Sequence, residues 1–236
     1  MEGFSLCIFR DILKYGEITH SLEDKSSYIS FNSSDEASKW GHLTYDNWSK
    51  EYKKASFMAQ QIMNGHSSLP FSSLECYCGY LYGGINSYLR STPDVYDISM
   101  SRELANNLVF VLSSAPRIPN NIIVYRMVCD EFMNYLIDQN KKGFFAIEKG
   151  FMSSSMLEPV SSQDEPYALH NNILKIHVPQ KTVGVYVNSV TRRSEQEILI
   201  VPNRYIAMID YPKKHPTGKL ITECKLVNWE TDLQVN

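Results

Sequence analysis

Apolar positions recur at helical spacing through the first half of this 236-residue chain and at strand spacing through the second. Ser33-x-x-Glu36 has the form of a capping box, and Trp40, Leu43, Trp48 and Tyr52 follow it at near-helical intervals. Asn64-Gly65 tolerates left-handed geometry and predicts the end of that stretch. Ser72-x-x-Glu75 opens a second predicted helix, with Tyr77, Tyr80, Leu81, Gly84, Ile85, Tyr88 and Leu89 on or near one face and Thr92-Pro93 as its stop. A third is predicted from about Ser101 to Leu112. After Pro119 the period changes. Asn121 to Val128 is rich in β-branched residues and predicts a strand. Glu131 to Asn140 predicts a short helix, closed by Gly143. Phe151–Met156, Ile173–Val178, Val183–Val187, Glu195–Val201, Tyr205–Tyr211 and Leu220–Asn228 predict further strands. Nothing near Pro116 is long, polar and Gly/Ser-rich, so the change marks a lobe boundary rather than a linker. The pattern therefore predicts one α+β domain over 1–236, with a helical lobe (1–117) packed on a β-rich core (118–236).

Composition narrows the function classes. A net charge of −3 with 21% charged residues gives no polybasic surface, which argues against nucleic acid and anionic membrane as partners. The five cysteines, at 7, 76, 78, 129 and 224, have neither zinc-type spacing nor an obvious disulfide framework, so reduced thiols and no metal are expected. The N-terminus lacks a basic segment followed by an apolar run, and no stretch reaches the ~18 apolar residues of a membrane span. The expected place of action is a cytosol, the cell's own or another's after delivery.

Three stretches carry chemistry. Glu195 and Glu197 open the run Glu-Gln-Glu-Ile-Leu-Ile-Val, and alternation along a strand turns both carboxylates to one side and Gln196 to the other. Two exposed acids at a strand's start is the plain reading; a pair that divides the roles of ion and base is the functional one. Arg126 interrupts Ile-Ile-Val-Tyr-Arg-Met-Val. Such an arginine is commonly a salt bridge at a sheet's rim, but guanidinium also binds phosphate bidentately and stays charged, which suits a dinucleotide pyrophosphate. Ser153-Ser154-Ser155 follows Phe151-Met152 in an apolar context, where a hydroxyl is able to orient a neighbouring carboxylate. No histidine stands at an offset that supports a serine-nucleophile triad. Gly83-Gly84 lies within a helical pattern, so no Gly-x-Gly-x-x-Gly dinucleotide fingerprint is present.

Taken in order, Tyr125-Arg126, Ser153-Ser154-Ser155 and Glu195-Gln196-Glu197 resemble the motifs of the Arg–Ser–Glu class of mono-ADP-ribosyltransferases, the class of actin-modifying bacterial toxins and injected effectors. Ile85-Asn86-Ser87-Tyr88-Leu89-Arg90 is similar to that family's Ile-Asn-x-x-Leu-Arg helix end. The resemblance covers about Trp40 to Val227 and implies a mixed two-sheet β-sandwich core that binds NAD as co-substrate, without metal. It implies that Arg126 holds the NAD phosphate, that Ser153 orients the catalytic acid, and that Glu197 contacts the nicotinamide ribose. It also implies that Glu195 prepares an acceptor arginine on a protein substrate, glutamate rather than glutamine here being the family's mark of arginine specificity. The loop from about Val185 to Ser194 corresponds to the substrate-facing turn, with Tyr186 as its aromatic contact. Two departures stand out: the middle of the triplet is Ser154 rather than threonine, and Met156 to His170 lacks the arginine the family often carries there.

The resemblance implies a toxin or effector delivered into host cytosol by a secretion system or toxin partner, with a translocation or chaperone partner. Two alternatives stay open: an NAD glycohydrolase, and a non-catalytic binding module of the same fold.

Overall fold

The computed structural model describes residues 2–62, 72–91, 98–158, 170–191 and 195–227. Six α-helices and nine strands occur among them. Helix α1 (Glu2–Tyr15) had no counterpart in the pattern above. Helix α2 (Ser34–Ile62) opens where Ser33 predicts: its hydroxyl accepts from the Glu36 N–H (3.2 Å). The Glu36 carboxylate reaches one residue further back than a capping box requires, to the Asn32 N–H (2.9 Å). Of the large apolar residues on α2, Trp40, Trp48 and Tyr52 pack partly buried against the core, and Leu43 does not. Leu43 is 86% exposed, and the buried stripe is Ala37, Gly41, Tyr45 and Ser49, four residues apart each time. Small side chains let this helix lie close to the sheet. Trp40 and Trp48 flank the stripe, their indoles donating to Asn120 (3.0 Å) and Ser114 (3.3 Å).

Helix α3 (Ser73–Cys76) starts with the full capping box of Ser72 and Glu75. A π-type turn, with Gly79 off helical geometry, leads into α4 (Tyr82–Arg90), which ends at Ser91 in left-handed conformation. Asn64-Gly65 and Thr92-Pro93, the predicted helix stops, lie outside the described residues. Helix α5 (Ile98–Ser114) buries Ser101, Leu104, Ala105, Leu108 and Leu112, the 3–4 spacing of one helical face.

Strand β1 (Ile122–Val128) is central. It pairs antiparallel along its whole length with β4 (Asn172–Val178), which runs parallel to β9 (Leu220–Leu226). Beyond β9 lie β7 (Arg204–Met208) and β2 (Ala146–Glu148), and β8 (Lys213–Lys214) pairs with β9 as well. On its other side β1 meets β3 (Met152–Ser155), followed by β6 (Glu197–Ile200) and β5 (Gly184–Tyr186). Helix α6 (Asp130–Lys141) follows β1. The expected two-sheet core takes the form of two strand groups in one hydrogen-bonded path, joined by the single register pair Tyr125↔Ser155. Strand β6 begins at Glu197, so Glu195 precedes it rather than opening it.

Both faces of β1 are covered, which explains its nearly continuous apolar run. Ile122, Val124 and Val128 face the main core, while Ile123 and Tyr125 join Ile173 in a smaller cluster beneath Tyr28. That smaller cluster holds His177. It is buried, Tyr28 meets its ring edge-on, and neither ring nitrogen has a hydrogen-bond partner among the described residues. Nearby, burial opposes ionisation of Glu223, but hydrogen bonds from Lys25 (2.6 Å) and Lys175 (2.9 Å) prevail and bring it to about 2.

Burial lowers His177 from its usual 6.5 to about 4. Below about pH 6.5 the unfolded chain takes up a proton that the native state refuses. Stability is therefore full above that value and is lost progressively as pH falls towards 4, by a few kcal/mol at most. His177→Phe is expected to flatten the fall in melting temperature between pH 7 and pH 5. An unchanged slope in the variant would refute the assignment.

Candidate active site

The junction between the two strand groups gathers the polar residues. On β3 and β6, Ser155 lies opposite Glu197 and Ser153 opposite Leu199, so Ser153 and Glu197 are diagonal neighbours on one face. The Ser153 hydroxyl donates to Glu197 Oε1 at 2.5 Å. Glu197 is 2% exposed. The three serines differ in what they touch. Ser155 folds back on the Leu157 backbone, donating to its carbonyl (2.9 Å) and accepting from its N–H (3.0 Å). Ser154 points to the opposite face, buried, with no hydroxyl partner among the described residues.

Arg126 shares the core-facing parity of Ile122 and Val124. Its Nη1 donates to the Ser153 carbonyl (2.6 Å), bridging β1 and β3 just beyond their one register pair. Its Nη2 reaches Glu148 at 3.4 Å. Arg90, the last residue of α4, grips the same carboxylate with Nε (3.0 Å) and Nη2 (3.1 Å), and the Gly150 N–H completes it (2.8 Å). Glu148 is buried, whereas the Arg90 side chain is 37% exposed. Two guanidiniums share one carboxylate here, and the second buried carboxylate, Glu197, lies at the same junction on Ser153. The Nε–H of Arg126 is buried with no partner among the described residues. A donor-rich corner with two guanidiniums suits a phosphate.

Helix α4 is locked to β3 through Asn86. Its carboxamide accepts from the Phe151 N–H (2.8 Å) and donates to the Tyr77 hydroxyl (3.0 Å). Tyr77 packs on the Phe151 ring, and burial raises its pKa, keeping the phenol neutral. Gly150 is required by close approach: a Cβ there would lie 2.8 Å from Asn86 Oδ1. A cavity of about 230 Å³ borders this lock, lined by Arg90, Phe132, Tyr135, Ile147, Glu148 and Lys149.

The structure thus brings Arg126, Ser153 and Glu197 together. Glu195 lies at the edge of the group, exposed, in a bend before β6. Tyr186 departs from expectation. It is fully buried at the end of β5, its hydroxyl donating to Gln196 Oε1, so in this conformation it offers no surface to a protein partner. The physical reason is that β5 ends later than a loop starting at Val185 assumes, with the Tyr186 ring packed against α2 at Gly41. Of the loop itself, residues 192–194 lie outside the described residues, as do 159–169 in the stretch without arginine. Glu148 was missed, although an acid ending the apolar run Phe-Phe-Ala-Ile was a usable signal. Asn86 and Arg90 stood in a recognised motif but were given no role. Among the described residues no cluster of three or more His, Cys, Asp or Glu is placed to hold a metal, and no helix is long and apolar enough to cross a membrane.

No curated protein sequence matches the chain. Among solved structures, BECa, an ADP-ribosylating toxin of a binary enterotoxin of C. perfringens solved with NADH, superposes with a TM-score of 0.64 at 21% identity. That match covers 85% of this chain and 50% of BECa, so the chain spans about half the toxin's length. Plx2a, an ADP-ribosyltransferase toxin from Paenibacillus larvae, matches with a TM-score of 0.60 at 15% identity, over 82% of this chain and 96% of its own. The C3 exoenzyme of Clostridium limosum matches with 0.57 at 18%, over 86% and 98%. The family model described as ADP-ribosyltransferase exoenzyme matches residues 37–211, a span that includes Arg126, Ser153, Glu195 and Glu197, and the chain belongs to that family.

Proposed function

We propose that this chain transfers ADP-ribose from NAD to an arginine of a protein, as the catalytic part of a toxin or effector acting inside another cell. The observation that carries the reading is the 2.5 Å contact between the Ser153 hydroxyl and a buried Glu197, beside two guanidiniums that share one carboxylate. NAD, when bound, supplies an ADP-ribosyl group whose ribose becomes cationic as neutral nicotinamide departs. Arg90 and Arg126 would hold the diphosphate, and the aromatic cavity beside Arg90 suits the adenosine end. Glu197 would face the ribose, its carboxylate oriented by Ser153 and placed to stabilise positive charge, the demand also met in glycoside hydrolysis. Glu195 stands at solvent, where a partner's side chain can reach it. Arginine is a poor nucleophile with a pKa above ~12, so an adjacent base that draws off a proton during attack is what transfer needs.

The exposure of Glu195 also favours a second reading, in which water is the main acceptor and the chain is an NAD glycohydrolase. Incubating the protein with NAD and agmatine, a small guanidine acceptor, and following ADP-ribosyl-agmatine and free ADP-ribose by mass spectrometry separates the two. Lysate treated with a tagged NAD would then identify the protein target.

Arg126→Ala is expected to weaken NAD binding by about 1.5 kcal/mol, roughly tenfold, the loss of one charged hydrogen-bonding partner. Arg126→Lys should recover only part of it, since a point charge cannot bridge two acceptors in a fixed fork. Unchanged affinity by calorimetry would refute the phosphate role.

A further inference from the structure

Gln196 lies between the two acids and is itself buried. Its side-chain oxygen accepts from the Tyr186 hydroxyl, and its nitrogen donates to Ser34 Oγ at 2.8 Å in the first turn of α2. Its backbone carbonyl accepts from the Met156 N–H (2.7 Å) at the end of β3. Four parts of the fold therefore meet at one residue: α2, β3, β5 and the approach to β6. We propose that Gln196 is a positioning residue, and that its carboxamide, held between Tyr186 and Ser34, fixes the direction in which Glu195 is presented beside Glu197.

The physical basis is the anchoring of the chain at the entry to β6. Glu195 stands at a bend, so strand alternation does not set its direction; Gln196, held at its side chain and at its carbonyl, fixes the point from which that bend departs. Glu197 has a second support in Ser153 and the β3 ladder. Glu195 precedes the strand, so the Gln196 anchor is the restraint next to it in the chain. The anchor is rigid because α2 backs it. Gly41 lies against the Tyr186 ring so closely that a Cβ would come within 2.3 Å. The Tyr45 hydroxyl donates to the Gly184 carbonyl (3.2 Å), and Lys53 donates to the Ser189 carbonyl (3.1 Å) in the turn after β5. Burial raises the Tyr186 pKa, so the phenol remains a donor through the physiological range. A carboxamide provides an acceptor and a donor at once, which fits this pair of partners.

The proposal rests on the reading of Glu195 as the acid on the acceptor side, and its test is arranged so that the two fail separately. The measurements are agmatine modification, NAD hydrolysis, KM for NAD and melting temperature, on wild type and on Gln196→Leu, Ser34→Ala and Gln196→Glu. Gln196→Leu is expected to lower the ratio of transfer to hydrolysis about tenfold, with KM for NAD changed far less. A merely structural role would lower stability and both activities together and leave the ratio alone. Gln196→Glu supplies a further readout, because only the protonated carboxyl reproduces the amide. Its transfer-to-hydrolysis ratio should climb towards the wild-type value as pH is lowered to about 5, while that of the wild type does not. Where Gln196→Leu does not fold, Ser34→Ala, altered only in the exposed first turn of α2, decides: a fall in the ratio supports the tether and an unchanged ratio overturns it. A wild type that modifies agmatine, with a folded Gln196→Leu that keeps the wild-type ratio, overturns the tether alone. A wild type that hydrolyses NAD without modifying agmatine removes the reading of Glu195, and this proposal with it.

Discussion

Glu197→Gln is expected to reduce both protein modification and NAD hydrolysis by ~10²-fold or more, with little loss of folding stability. The substitution keeps the shape of the side chain and leaves Ser153 a carbonyl oxygen to bond. It removes the one negative charge that Ser153 holds in place within the buried part of the site. Both reactions pass through the same cleavage of the nicotinamide bond, so both should fall together. Rates measured from nicotinamide release and from labelled product, with a melting curve for each protein, check this. Retained hydrolysis in Glu197→Gln would remove Glu197 from the chemistry.

Glu195→Gln should divide what Glu197→Gln does not. Transfer to arginine or agmatine is expected to fall by ~10²-fold, because a neutral amide cannot draw a proton from the incoming guanidinium. Nicotinamide release to water should persist, since Glu195 is outside β6 and Glu197 keeps its serine and its ladder. Equal loss of both activities would defeat the division of labour. A parallel measurement on the wild type distinguishes a transferase from a glycohydrolase, and absence of turnover would leave only a binding module.

Much of this was legible in the sequence because the relevant signals are local. The caps at Ser33 and Ser72 and the β-branched run at Ile122 act within a few residues of themselves. So does the spacing of the serine triplet. The parts that were not legible depend on distant partners. Nothing in Leu43 or Ala37 reveals that α2 turns its small residues inward, because that follows from how closely Gly184 and Tyr186 approach it. The resemblance places Tyr186 in a substrate-facing loop, although the apolar pattern over Val183–Val187 predicts a strand; pairing of β5 with β6 carries that strand through Tyr186. Glu148 gains its place only once Arg90 and Arg126, 58 and 22 residues away, converge on it.

The narrow connection between β1 and β3 has a thermodynamic consequence. With one register pair holding the strand groups together there, part of the remaining connection is a side chain: Arg126 on the Ser153 carbonyl. A ladder bond is closed to competitors, but a guanidinium is not. An anion that drew Nη1 of Arg126 away would compete with the bond that spans the groups, and its binding would then be coupled to how firmly β1 holds β3. By linkage, whatever loosened that bond from afar would alter affinity for such an anion by the same factor, and the reverse would hold equally.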